Sequence, residues 1–502
     1  MIYNGTCIAK TGEIIPLFLD KSPMHSKYNP QKEANNFAVE QKAGFFVVAG
    51  IGGGFHIAHL IEENPNSYVL CVEEDENTLK FCLNLPQNAN LFKKQNIWAC
   101  TIENLQTEIA FRYIPALYGD FSLLYHPIWQ KKNVTLSEKI KEIVQKALKE
   151  IAADFSVQSH FGKIWQGNIL SNLQFCSQIK NPTKINFVVK KQAAIIGAGP
   201  SLDTSIQTLS KNRDKYTIIS TDTAYRSLIT RNIFPDIVIS VDGQHISHTH
   251  FMCCPKSEAQ NSPTLFVFAL SANPAAAKFV YSMGHSVFFV QSSHPLESLA
   301  SNFYKNTFPK INSGSGTVTI AACDFAQKLG FSEIELFGAD FSYKNGKAYT
   351  LGTYLETNFL KEANKLFPQE MQQTNLLFRT ELIRKNGILS TEVLESYKNS
   401  LNEWIKNSVY FNENQRLKAK ENNNNAVLKA QYFPFADFIL SLNSGIQNAI
   451  QNACIDSVYI KCLLPAVAFF RKNQNPQNKI EFFNLIKLAY TDLNRYTKVY
   501  EK

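Results

Sequence analysis

The stretch ELFGADFSYKNGKAY, residues Glu335–Tyr349, sets two phenols, Tyr343 and Tyr349, six positions apart beside the carboxylate of Asp340. A phenol with a pKa of about 10 is a neutral hydrogen-bond donor near neutral pH. Two such donors can stabilise negative charge growing on a leaving phosphate without a metal ion. Asn345-Gly346 lies between them and is a turn signal. The plainer reading is a surface hairpin with two amphipathic rings.

Other reactive residues fall at the ends of apolar runs. Gly197-Ala198-Gly199-Pro200-Ser201-Leu202-Asp203 follows the run Ala193–Ile196 directly. It has no Lys-Ser/Thr and is not a Walker loop. Pro200 suits a first helical turn, where its missing N–H costs nothing. Ser201 has two readings, a helix cap or a phosphate donor. The amides of such a turn form an anion site at a helix start. The runs IISTDTAY and IVISVDGQ end in Asp222-Thr223 and Asp242. INSGSGTV brings Ser313, Gly314, Ser315 and Gly316 before a helix, a second amide-rich N-terminus. Each alone is weak, since an Asp at a strand end often caps a helix. Together they favour a nucleotide mono- or diphosphate site.

The elements that must hold these residues alternate. Strands are expected over Ala193–Ile196, Thr217–Ser220, Asp236–Val241, Leu265–Leu270, Val287–Gln291 and Ile334–Phe337, with helical stretches between most of them. Several are unbroken apolar runs, as in a parallel sheet covered on both faces. Ligands of such sheets bind at the carboxyl ends of the strands. An earlier βαβ pattern begins at Gly44, with the loop Gly50-Ile51-Gly52-Gly53-Gly54 and an acidic strand end at Glu73 or Glu74, where a ribose-binding carboxylate belongs. Phe55 stands where a third fingerprint glycine would be, so the loop reads either as a cofactor site or as a turn that keeps its glycines for geometry.

Residues 1–35 are polar and turn-rich, Ser137–Ser171 reads as long helices, NPTK at 181–184 as a linker, and the chain from about Glu381 as helical with an Asn-rich loop at Asn422–Asn425. The fold class is α/β: a Rossmann-like N-terminal domain with helical extension (1–183), a central doubly wound, mostly parallel domain (184–380) and a helical C-terminal domain (381–502). The 502 residues are too many for one core. The ten scattered cysteines have no C-x-x-C pair, and reduced thiols are expected. No apolar run approaches the ~18 residues of a membrane span. With no leader pattern at the start, a cytoplasmic protein is expected. The net charge of +9 is spread over solvated faces, with no basic stripe interleaved with aromatics, which argues against a nucleic-acid partner.

Taken together, IIGAGPSLD, STDTAY, PDIVISVD and SGSGTV…LGFSEIELFGADFSYKNGKAY resemble the motility-associated factor (Maf) glycosyltransferases. Their central domain is related to 6-hydroxymethylpterin diphosphokinase-like proteins and to bacterial sialyltransferases, a GT-A variant. The resemblance covers roughly residues 30–400 and is strongest over 190–355. It implies transfer of a nonulosonic acid, of the pseudaminic, legionaminic or sialic type, from a CMP donor to Ser/Thr of flagellin, with no required cofactor. It also implies that Tyr343 and Tyr349 bond the departing CMP phosphate, and that Ala198, Pro200 and Ser201, with Gly197 and Gly199, line the nucleotide. Asp222, Thr223 and Asp242 would touch ribose, base or sugar, and Ser313, Gly314 and Ser315 would approach the donor's carboxylate or phosphate.

The sialyltransferase relatives place a histidine after the second tyrosine as general base. This chain has none after His294. Asp242, Asp340 or a histidine of DGQHISHTH (His245, His248, His250) is left for that role. No metal ligand set is expected. Two alternatives stand. One is a Mg-ATP diphosphokinase in which Asp222, Asp242 and Asp340 hold Mg²⁺. The other is a flagellin-binding scaffold without catalysis.

Overall fold

The computed structural model describes residues 2–179, 184–188, 192–259, 264–313, 316–331, 333–385, 387–407, 425–429, 431–474 and 481–497. The chain divides into two compact units. One comprises Met1–Gly162 with Leu464–Ala489, the other Lys163–Leu463 with Tyr490–Lys502.

The first unit opens with an antiparallel pair, β1 (Tyr3–Ile8) and β2 (Ile14–Phe18), then a helix over Pro30–Ala38. The opening segment, polar in sequence, is thus largely regular. Asn29 accepts from the Lys32 amide and Pro30 opens the helix, a preorganised start. Next come β3 (Phe45–Ala49), β4 (Tyr68–Glu73), β5 (Ile97–Thr101) and β6 (Phe121–Tyr125). They form a parallel sheet in the order β5-β4-β3-β6. Every residue of β3, FFVVA, is fully buried. The chain moves from β3 outward to β5 and returns beside β3 as β6, so the switch point lies between β3 and β6.

The second unit holds the antiparallel pair β7 (Lys184–Val188) and β16 (Asn425–Lys429) and a six-stranded sheet. The latter contains β8 (Gln192–Ile196), β9 (Tyr216–Thr221), β10 (Ile237–Ser240), β11 (Leu265–Ala269), β12 (Ser286–Val290) and β13 (Ile334–Phe337). All are parallel, in the order β12-β11-β10-β9-β8-β13. These are the six runs read from sequence. The chain steps from β8 out to β12 and returns beyond β8 as β13. The switch point, where such sheets bind ligands, therefore lies between β8 and β13.

A helix of 45 residues runs over Val134–Gln178. The C-terminal region is helical at Glu392–Asn407, Phe435–Gln451, Val458–Lys472 and Phe482–Asn494. It also carries strands: part of the hairpin β14 (Ile383–Lys385) and β15 (Ile388–Ser390), and β16. Of the Asn-rich stretch only Asn425 is described, and it begins β16; of the NPTK linker only Lys184 is, and it begins β7. No helix among the described residues is long and apolar enough to cross a membrane.

Candidate active site

The loop after β8 and the loop after β13 close on each other. The Gly197 amide donates to Phe337 O at 2.8 Å and the Gly199 amide to Gly338 O at 2.7 Å. A Cβ on Gly197 would lie 2.5 Å from Gly338 O, and one on Gly199 would lie 2.0 Å from Asp340 Oδ2. These glycines are required because two backbones share the space. Asp340 Oδ2 accepts from the Ser201 amide at 3.1 Å and the Ser201 hydroxyl at 2.8 Å. Of the two readings for Ser201, the helix cap is not made: its side chain donates across the switch point to Asp340. The amides of Gly197, Gly199 and Ser201 all donate within the protein. Asp340 has become the fastener of the loop pair.

The same loop pair anchors the tyrosine segment. Thr350 N donates to Ala198 O at 2.9 Å, and Thr350 Oγ1 to Asp203 Oδ1 at 2.5 Å. Arg231 pairs with that carboxylate at 2.8 Å. Upstream, Tyr343 N donates to Leu389 O at 2.7 Å. Asn345 and Gly346 both have positive φ, 52° and 72°, and Lys344 and Lys347 exchange backbone bonds across them. This is the two-residue turn expected of Asn-Gly. The turn brings Tyr343 near enough to Tyr349 to raise the Tyr349 phenol. Tyr349 keeps 39% of its surface exposed. Its phenol is raised by the protein around it and by Tyr354, Tyr343, Tyr397 and Asp222. Tyr343 is raised by burial. Both stay neutral donors well beyond neutral pH.

Asp222 begins the helix Asp222–Ile229 at the end of β9 and is 1% exposed. Its Oδ1 accepts from Thr223 N at 2.7 Å and Thr223 Oγ1 at 3.1 Å; its Oδ2 accepts from Ser240 Oγ at 2.6 Å. Asp242 is half-buried beyond β10, and its Oδ1 accepts from Gln244 N at 2.9 Å. Burial and the nearby Asp222 raise its pKa, while Gln244 and His250 pull the other way. Asp242 is thus shifted toward neutrality.

Three aromatic neighbours went unread as site residues or were read differently. Tyr354 starts the helix Tyr354–Glu362, and its phenol is raised by burial, Asp242 and Asp222. His250 is buried against it, ring centroids 4.5 Å apart and edge to face, with Nδ1 lacking a partner. Tyr397, on the helix Glu392–Asn407, lies where a Cβ on Gly316 would come within 2.6 Å of its ring. Tyr354 stands five residues past Tyr349, a nearness that was a usable signal. Tyr397 gave none. His245 is exposed, and His248 Nδ1 lies 2.8 Å from His245 O. Ser313 is half-buried ahead of the helix Val318–Lys328, which Thr317 caps by accepting from Thr319 N. Gly314 and Ser315 lie outside the described residues.

An uncharacterized protein of Treponema pallidum (strain Nichols) is 43% identical over 149 residues, 30% of this chain and 70% of that protein. A second from the same organism is 31% identical over 256 residues, 50% of this chain and 81% of that protein. The chain belongs to the family of these treponemal proteins. Its residues 167–346 match the family described as 6-hydroxymethylpterin diphosphokinase MptE-like. Its fold is similar to that of a MAf glycosyltransferase from Magnetospirillum magneticum AMB-1, with a TM-score of 0.50 and 13% identity, covering 100% of this chain and 87% of that one. At that identity the likeness is one of fold. It agrees with the Maf resemblance carried by the central motifs.

The glycine loop of this family member's first unit is filled by the protein itself. Glu73, fully buried, accepts from the Ile51 amide at 2.6 Å, the Gly52 amide at 3.4 Å, Trp129 Nε1 at 3.2 Å and Tyr3 OH at 3.4 Å. Burial raises its pKa to about 7 against these donors. The Gly53 amide donates to His25 Nε2 at 2.8 Å. Gly50 has a φ of 89°, and a Cβ there would meet Trp129 at 2.5 Å. Backbone geometry and close packing account for these glycines. Glu73 serves the loop and does not reach out to a ribose.

Proposed function

We propose that the protein is a glycosyltransferase that moves a nonulosonic acid from a CMP donor onto Ser/Thr of flagellin, acting in the cytoplasm. The observation that carries the reading is the grouping of Tyr349 with Tyr343 and Asp222, and of Tyr354 with Asp222 and Asp242, at the carboxyl edge of the six-stranded sheet. The fold likeness to a MAf glycosyltransferase supports the class of reaction.

On this reading the two phenols donate to the phosphate as the glycosidic bond to CMP breaks. Neutral donors aimed at developing charge lower the barrier without needing a cation. The nucleotide lies along Ala198–Ser201, and Thr223 and Ser313 flank it. Asp242 takes the acceptor proton: its shift toward neutrality brings it nearer the range of a useful base. Asp340 keeps the loops in register and positions the site.

The MptE-like match favours a second reading, diphosphoryl transfer from ATP with Mg²⁺. Among the described residues, however, Asp222, Asp242 and Asp340 do not form a set close enough for one ion. Thermal shifts with CMP, CDP, ATP plus Mg²⁺ and ATP plus EDTA separate the two, since a ligand of the folded state raises apparent stability. Stabilisation by CMP and CDP without metal, weakened by Tyr343→Phe/Tyr349→Phe, supports glycosyl transfer. A response to ATP plus Mg²⁺ alone replaces it with the diphosphokinase.

A further inference from the structure

The first unit brings together three histidines that the sequence keeps far apart. His25 precedes the helix Pro30–Ala38, His56 lies in the first turn after the Gly50–Gly54 loop, and His126 directly follows β6. Each is 1% exposed. One ring nitrogen from each can be chosen so that all three lie within 4.8 Å of one another. The rings lean together, with centroids 4.8 Å apart for His25–His126 and His56–His126 and 5.6 Å for His25–His56. They sit at the switch point between β3 and β6, where doubly wound sheets place their ligands.

From this geometry we infer that His25, His56 and His126 bind a divalent transition-metal ion, Zn²⁺ being the ion whose usual ligand set they match. Three imidazoles with a fourth position completed by a carboxylate or water make a familiar zinc environment. Bonds of about 2.0–2.1 Å would hold tetrahedral nitrogens about 3.3 Å apart, so the nitrogens close by up to about 1.5 Å when an ion enters.

Two observations carry the inference. First, neither nitrogen of His56 nor Nδ1 of His126 has a partner of hydrogen-bonding geometry. A buried polar group left unpaired is costly, so a cluster of them points to a ligand. Second, an outer shell is present. Glu33 Oε2 lies 3.7 Å from His25 Nδ1, the side on which a carboxylate holds a ligand histidine's other N–H, and this leaves Nε2, which accepts from the Gly53 amide at 2.8 Å, as the nitrogen an ion would take over. Such partners fix ring orientation in metal sites, and Glu33 brings negative charge beside the cation. Phe37 and Phe55 pack on the rings and keep the site dry. The ion would brace the glycine loop against β6, a structural role.

The test uses the full chain purified without a histidine tag. Metal content is measured by mass spectrometry. The chelated protein is then titrated with Zn²⁺ and with Co²⁺, reading melting temperature and the visible absorption of nitrogen-bound Co²⁺. Expected are one ion per chain, a Co²⁺ band and a rise in melting temperature. His56→Leu should weaken uptake at least about tenfold, while His59→Ala, on the same helix but partly exposed, should not. If wild type neither retains nor takes up Zn²⁺ or Co²⁺, the inference is overturned whatever the variants do. It is equally overturned if His56→Leu, which removes two unpaired nitrogens, leaves uptake unchanged.

Discussion

Ser201 gives both its amide and its hydroxyl to one oxygen of Asp340, at 3.1 and 2.8 Å. This pair joins the first and last strands laid down in the six-stranded sheet, across its switch point. A double-mutant cycle of Ser201→Ala and Asp340→Ala in urea unfolding should return a coupling of about 0.5–3 kcal/mol. Asp340→Ala should be the costlier single change, because it leaves the buried loop without its acceptor. Additive effects would mean that the two residues do not act together.

Gly199 has no room for a side chain, with Asp340 Oδ2 at 2.0 Å and Gly338 O at 2.6 Å from a Cβ. Gly199→Ala should cost about 1–3 kcal/mol by overpacking. It should also weaken CMP binding by displacing the Ala198–Thr350 contact. Circular dichroism melts and CMP titration of the same preparation check both.

Tyr343→Phe and Tyr349→Phe remove only hydroxyls at a half-buried and an exposed position. Stability should hold within about 0.5 kcal/mol, as for ordinary surface changes. Turnover with a CMP-activated donor should fall about 10²–10³-fold for the pair, the scale of losing charge-stabilising donors. Turnover equal to wild type would remove the phenols from the mechanism.

Asp242 as general base must be ionised. Its pKa is raised, so activity should fall as pH drops through a value above the usual carboxylate range. Asp242→Asn should abolish that limb and cost about 10²–10⁴-fold in turnover. A profile whose acid limb survives in Asp242→Asn would assign the base elsewhere, with His250 next in place.

His294 is buried at the start of the helix Pro295–Phe303, its Nδ1 accepting from Leu296 N at 3.1 Å. Burial lowers its pKa from 6.5 to about 3. Between those values the unfolded chain binds the extra proton, so stability is lost as pH falls below 6.5. Near pH 5 the loss is about 2 kcal/mol. His294→Asn keeps a cap acceptor without the titration, and its urea midpoint should vary less between pH 7 and pH 5.

The sequence by itself determined the six central strands, the parallel sheet and the Asn-Gly turn between the tyrosines. Those features follow from local rules: unbroken apolar runs, glycine where φ is positive, and polar residues where strands end. It did not determine what the strand-end residues bond to. Gly197 and Gly199 read as turn glycines of an anion site, and nothing in the sequence showed their close approach to Gly338 and Asp340, since that contact exists only once β8 and β13 are neighbours. Glu73, one of the two carboxylates read at that strand end, turns inward for the same kind of reason: its donors, Ile51, Trp129 and Tyr3, come from separate segments. Tyr397 reaches Gly316 from a distant helix, and the three buried histidines meet only where β6 returns beside β3. Hydrophobic pattern and turn chemistry act over a few residues and are written along the chain. Partnership across a switch point depends on strand order, which only the folded sheet decides.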